Sequence, residues 1–159
     1  MDHIRYHSAS GRVGRVLAAR ILPGEDLVSV IIELVKDNGF RSGTVSAIGS
    51  IFGASLIGPG PMWTVGNADG GPSSHAMEGP LEMGFAYGIF GTDDDNTINM
   101  HLHGLVMDGD GKARFGNLVE GSTKILATVE MIIYEMEGME FIPTLDRTYN
   151  HKFLHPTTK

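Results

Sequence analysis

One stretch of this 159-residue chain repeats its apolar residues at helical spacing, and much of the chain beyond it reads as apolar strands separated by turns. Leu27, Val30, Ile31, Leu34 and Val35 share one side of a helix, with Glu33, Lys36 and Asp37 on the other. Glu25 and Asp26 are expected in its first turn, where the positive end of the helix dipole favours carboxylates, and Asn38-Gly39 supplies a left-handed stop. These two acids are therefore capping residues before they are catalytic ones. "GRVLAARIL" ahead of the helix reads as a strand, and "RSGTVSAIGSIFGASLIG" behind it as one or two strands broken at Gly49 and Gly53. In "STKILATVEMIIYEM" the alternation puts Ile125, Ala127, Val129, Met131 and Ile133 on one face of a strand. One early helix followed by hairpin-linked strands predicts an α+β fold: a mainly antiparallel sheet with one amphipathic helix packed on it.

The length fits a single domain, expected over residues 11–155, with tails at 1–10 and 156–159. A short last strand is expected around Lys152 to Leu154, with frayed ends. The turn-rich stretch "GPGPMWTVGNADGGPSSHAMEGP" is longer than an ordinary connection and reads as a functional flap, a partner-binding loop or simply a mobile excursion. It holds the only tryptophan, Trp63, and a lone histidine, His75.

With a net charge of −7 the averaged field repels nucleic acid, so direct DNA contact would need a local basic patch. Arg12, Arg15 and Arg20 come near to one but lie among apolar residues, as on an edge strand. Absence of cysteine excludes a thiolate nucleophile, a disulfide framework and a cysteine-ligated zinc, leaving any metal work to histidine, carboxylate and water. No apolar signal core or membrane-length run is seen, so a cytoplasmic protein is expected.

The segment "INMHLHGLVMDGDGKARFGNLVEG" carries the chemistry. In a strand His101 and His103 project the same way, about 7 Å apart at the backbone, and can share one ion if other ligands come from a neighbouring strand. The other reading is the polar face of a half-exposed strand. If Asp108 pairs with Lys112, the hairpin has a three-residue loop and Asn117 lies opposite His103; a four-residue loop turns Asn117 to the other face. The amide oxygen of Asn117 suits a substrate hydrogen bond better than zinc. The turn "TDDDN" lacks the glycine and distal glutamate of a calcium loop and reads as a solvated hairpin tip.

The succession "ILPGEDL", "VSAIGS", "EGPLEM", "HLHGLVMDGDGKARFGNLVEG" and "EMIIYEM" resembles the PPC domain, or DUF296, over most of the chain, from about Gly11 to Leu154. The resemblance implies a homotrimer and a fold similar to that of acetolactate decarboxylase, a zinc enzyme. Bacterial members often read H-x-H followed by G-G-H-L, a metal triad whose first two positions fall on His101 and His103. The third falls on Asn117, which leaves zinc or another divalent metal short of a ligand unless His75, Glu82 or a neighbouring subunit supplies it.

The family is also linked to DNA through AT-hooks, but no R-G-R-P core occurs here and "GRVGR" lacks the proline. The function expected is a histidine-lined small-molecule pocket in a trimer, holding metal through His101 and His103, with Asn117, His75, Glu82 and Arg20 as ligand-binding candidates. Lyase-like polarisation of a carbonyl is the chemistry a metal would support. No nucleophile-base pair is evident, so whether the protein is an enzyme stays open. The alternative is a DNA-associated regulatory protein acting through partners.

Overall fold

The computed structural model describes residues 5–59 and 72–159. The order is β1 (Arg12–Ile21), α1 (Leu27–Asp37), β2 (Ser42–Pro59), β3 (Pro72–Thr92), β4 (Ile98–Asp108), β5 (Ala113–Leu118), β6 (Ile125–Glu137), β7 (Met139–Asp146) and β8 (His151–Thr158). Six strands form one sheet in the order β1-β6-β2-β3-β4-β5, and every pairing is antiparallel. The far end of β2 also meets β5, Leu56 opposite Leu118 and Ile57 opposite Asn117, so β2 to β5 close on themselves. The α+β expectation holds.

α1 forms where the apolar spacing places it and buries Leu27, Val28, Ile31 and Val35 against the sheet. Each such side chain contributes about 1.5–3 kcal/mol. Opposite them lie Val45, Met83, Phe90, Leu102, Val129 and Ile133, all buried. Glu25 and Asp26 precede the helix rather than occupying its first turn, and only Asp26 caps it. Its Oδ1 accepts from the Ser29 amide at 3.0 Å, while Oδ2 accepts from the Thr123 amide at 2.9 Å. One carboxylate thus fixes the helix start to the turn before β6. At the other end Asn38 closes the helix and Gly39 takes φ +63°, as the sequence predicts.

Four further expectations are corrected. Gly49 and Gly53 do not break β2, which runs unbroken through both; the register shifts there instead, as at bulges. Gly49 has φ +148°, and a Cβ on it would run into the Thr128 carbonyl of β6. Of the long turn-rich stretch, residues 72–80 belong to β3 and pair with β2, while Trp63 lies outside the described residues. Ala127 is exposed although Ile125, Val129, Met131 and Ile133 are buried, because the β2–β6 register slips between Gly49/Val129 and Ile51/Ile125. Finally, the C-terminus forms a full hairpin, with β8 paired to β7 from Met139↔Thr158 to Asp146↔His151.

Arg12, Arg15 and Arg20 do lie on an edge strand, each turned toward β6. Arg12 pairs with Glu137 at 2.8 Å and Arg15 with Glu135 at 2.7 Å, while Arg20 donates to the Thr128 hydroxyl at 2.9 Å. Among the described residues, no helix is long and apolar enough to cross a membrane.

Candidate functional site

Register decides which side chains share a face. Asp108 and Lys112 close a three-residue loop: the Asp108 amide donates to the Lys112 carbonyl at 3.1 Å, and Gly111 has φ +81°. Asn117 therefore stands opposite His103. Continuing sideways, His103 faces Tyr87, Tyr87 faces Ser46, Ser46 faces Ile132, and Ile132 faces Ala18. This row crosses the whole sheet on the side away from α1, because the residues between these positions, such as Leu102, Ala86, Val45 and Met131, are buried.

On that outer face the rings of His101 and His103 converge, with Nε2 to Nε2 at 2.9 Å and ring centroids 4.7 Å apart. One nitrogen must donate and the other accept, so the contact requires at least one imidazole to be neutral. Burial lowers the pKa of both; His151 lowers that of His101 further, and His101 that of His103. Neutral rings carry the lone pairs a metal needs. Phe115 flanks His103, its ring centroid 5.0 Å away.

Asn117 reaches the site in a different role from the one expected of it. Its Oδ1 accepts from the Leu102 amide at 3.1 Å, tying β5 to the strand that carries both histidines. The other candidates stand apart. Glu82 is on the outer face, but its row partner Met107 is four residues along β4 from His103, roughly 14 Å away. Arg20 is on the outer face too, four strands from β4, or about 19 Å. His75 pairs with Leu56, in the row of buried Leu118, and its Nε2 lies 3.2 Å from the Ser73 hydroxyl. Register thus separates it from the row of Asn117.

Among the described residues, no three His, Cys, Asp or Glu side chains are grouped to hold an ion. Two Nε2 atoms this close fit two adjacent positions around an ion bound at about 2.0–2.1 Å, leaving the remaining positions open. Sequence reading missed Tyr87, Phe115 and His151. Alternation in "FAYGIF" would have shown Tyr87 outward, but its register against His103 is set by the length of the turn between Thr92 and Ile98.

The model of the Plants and Prokaryotes Conserved (PCC) domain matches residues 8–137. The chain belongs to this family. The match covers the six-stranded sheet and the helix, and it ends where the β7–β8 hairpin begins. Solved structures agree with the PCC fold. A hypothetical protein from Salmonella cholerae-suis superposes with a TM-score of 0.76 at 21% identity, covering 97% of this chain and 99% of that one. A metal-containing protein from Archaeoglobus fulgidus gives 0.77 at 20% identity, covering 95% and 99%. A plant- and prokaryote-conserved protein from Pyrococcus horikoshii gives 0.78 at 18%, covering 96% and 98%. No curated protein matches the sequence.

Proposed function

We propose that this PCC domain acts as a homotrimer whose outer sheet faces meet over a small-molecule pocket floored by His101 and His103. The observation that carries this reading is the convergence of two imidazoles on a sheet face that is otherwise largely apolar. Val16, Ile48, Phe85, Tyr87, Phe115 and Ile132 are all exposed there. A concavity of about 710 Å³, lined among others by Ala18, Arg20, Ser46, Ile48, Tyr87 and Ile132, opens on the same face. Soluble monomers rarely leave so much contiguous apolar surface in water, and burying it against further copies would also enclose the histidines. Arg20 lines that concavity but is about 19 Å from the histidine pair within one chain, so the two can meet one small ligand only across a subunit boundary.

His101 and His103 would hold zinc or another divalent metal through their Nε2 atoms, and a bound ion supplies Lewis-acid polarisation of a ligand carbonyl. The chain's own residues do the rest. Phe115 walls the site beside His103, Tyr87 offers a phenol directly across from that ring, and Asn117 holds the strand in register. A carbonyl-bearing metabolite and lyase-like chemistry fit these parts. Each β1 arginine is engaged by a β6 side chain, so these three do not form the free basic patch that the DNA-associated reading would need.

The test is sedimentation equilibrium with elemental analysis of untagged protein. The expected result is three times the chain mass and a divalent metal that His101→Ala removes. A monomer would overturn the assembly; zinc below about a tenth of an equivalent, unchanged by that substitution, would remove the metal.

A further inference from the structure

A second cavity lies on the helix side of the sheet, away from the histidines. It measures about 350 Å³ and opens between the C-terminal end of α1 and the β3–β4 turn. Thr92 and Ile98, which pair with each other, form its floor; they continue the inward-facing positions of Phe90 and Met100, so the cavity and the histidine pair are on opposite faces. Assembly through the outer face leaves it open.

Its polar lining consists largely of donors. Arg41 spends Nε on Glu140 at 3.2 Å, but among the described residues its two Nη groups reach only the Asn96 Oδ1 and the Thr92 carbonyl, each at 3.5 Å, the outer limit of a hydrogen bond. Thr92 Oγ1 is buried and has no hydrogen-bond partner among the described residues, a costly state that rotation of the side chain toward a ligand in the cavity would relieve. The Asn96 amide accepts from Arg41 and finds no acceptor for its own NH2 among the described residues. Lys36 stands at the mouth with no acidic partner among the described residues. Phe40 and Ile98 supply apolar wall. The guanidinium fork, the hydroxyl and the amide NH2 together match a planar oxyanion. Nearby negative charge limits its valence, since Glu140 holds Arg41 from behind and Asp93, Asp94 and Asp95 belong to the turn that carries Asn96.

We infer that this cavity is a binding site for a small monocarboxylate with an apolar body, its carboxylate held by Arg41, Thr92 and Asn96. The inference is independent of the histidine pocket. Benzoate is the probe, with neutral benzamide and inorganic phosphate beside it, followed by ligand-observed NMR on the full chain. Saturable benzoate binding is expected with a dissociation constant on the order of 1 mM, as suits so small a ligand, and benzamide should not bind. Arg41→Gln should weaken it about tenfold, and Thr92→Val and Lys36→Gln each about threefold, while His101→Ala leaves it unchanged. Arg41 also anchors Glu140, so Thr92→Val and Lys36→Gln keep the test valid if Arg41→Gln misfolds. Four results would overturn the site: no saturable benzoate binding, equal binding of benzamide, indifference to Thr92→Val and Lys36→Gln, or loss of binding in His101→Ala. Phosphate binding tighter than benzoate would overturn the monocarboxylate assignment.

Discussion

The two faces of one sheet obey different rules. On the inner face, alternate residues in the middle of β4 and β6 are sealed under α1 or inside the closed β2–β5 ring: Leu102 and Val106 on one strand, Val129, Met131 and Ile133 on the other. One position outward along those strands, His103, Leu105, Glu130 and Ile132 are partly or fully exposed. The two sets share backbone, register and strand twist, and differ only in which way the pleat turns them. The inner face is closed by this chain alone, whereas the outer face carries apolar residues with no cover among the described residues. Stability should therefore depend on the first set and assembly on the second.

Substitutions can break that contrast, beginning with the inner face. Phe90→Ala should cost about 3–5 kcal/mol in urea unfolding, because the ring is fully buried and its site cannot collapse. Tyr87→Asp, three residues earlier on the outer face, should leave the far-ultraviolet circular dichroism intact yet reduce the sedimenting mass to one chain. If Tyr87→Asp unfolds the protein instead, the two faces are not separable. Next in size, Asp26→Ala removes the helix cap and the bond to the Thr123 amide together, so a loss of about 1–3 kcal/mol is expected in the same unfolding assay.

The smallest effect concerns pH. His101 and His103 have pKa values lowered from the ordinary histidine value of 6.5, chiefly by burial. The unfolded chain then binds protons before the folded one does, so their contribution is fully present above 6.5 and is lost as pH falls through the lowered pKa values. The urea midpoint should drop from pH 7 to 5.5, and drop less in a His101→Ala, His103→Ala double variant. A pH slope identical in the two proteins would mean that the rings titrate as in water.

The same contrast explains how far the sequence could be read. Inner-face residues repeat at helical or strand period, so α1, β1, the pairing of His101 with His103 on one face, and the α+β class were all legible. Features set by long-range register were not. Whether Asn117 faced His103 hung on one residue of loop length, and its bond to the Leu102 amide has no sequence signal. Gly49 and Gly53 looked like breaks because a bulge and a strand end use the same residue. The β7–β8 hairpin was hidden by Pro143 and Pro156, which argue against central strands but are tolerated in a two-stranded sheet with two edges. Glu82 and Arg20 were plausible by chemistry, and only strand order put them about 14 and 19 Å from the pair.

The central claim is that two imidazoles converge beneath a surface built to be covered. The most direct measurement is a crystal structure of the untagged protein, read at the two Nε2 atoms. A density peak is predicted about 2.0–2.1 Å from both, within a recess closed by another copy of the chain. Histidine rings turned into open solvent, with no peak between them and no neighbouring copy on that face, would contradict it.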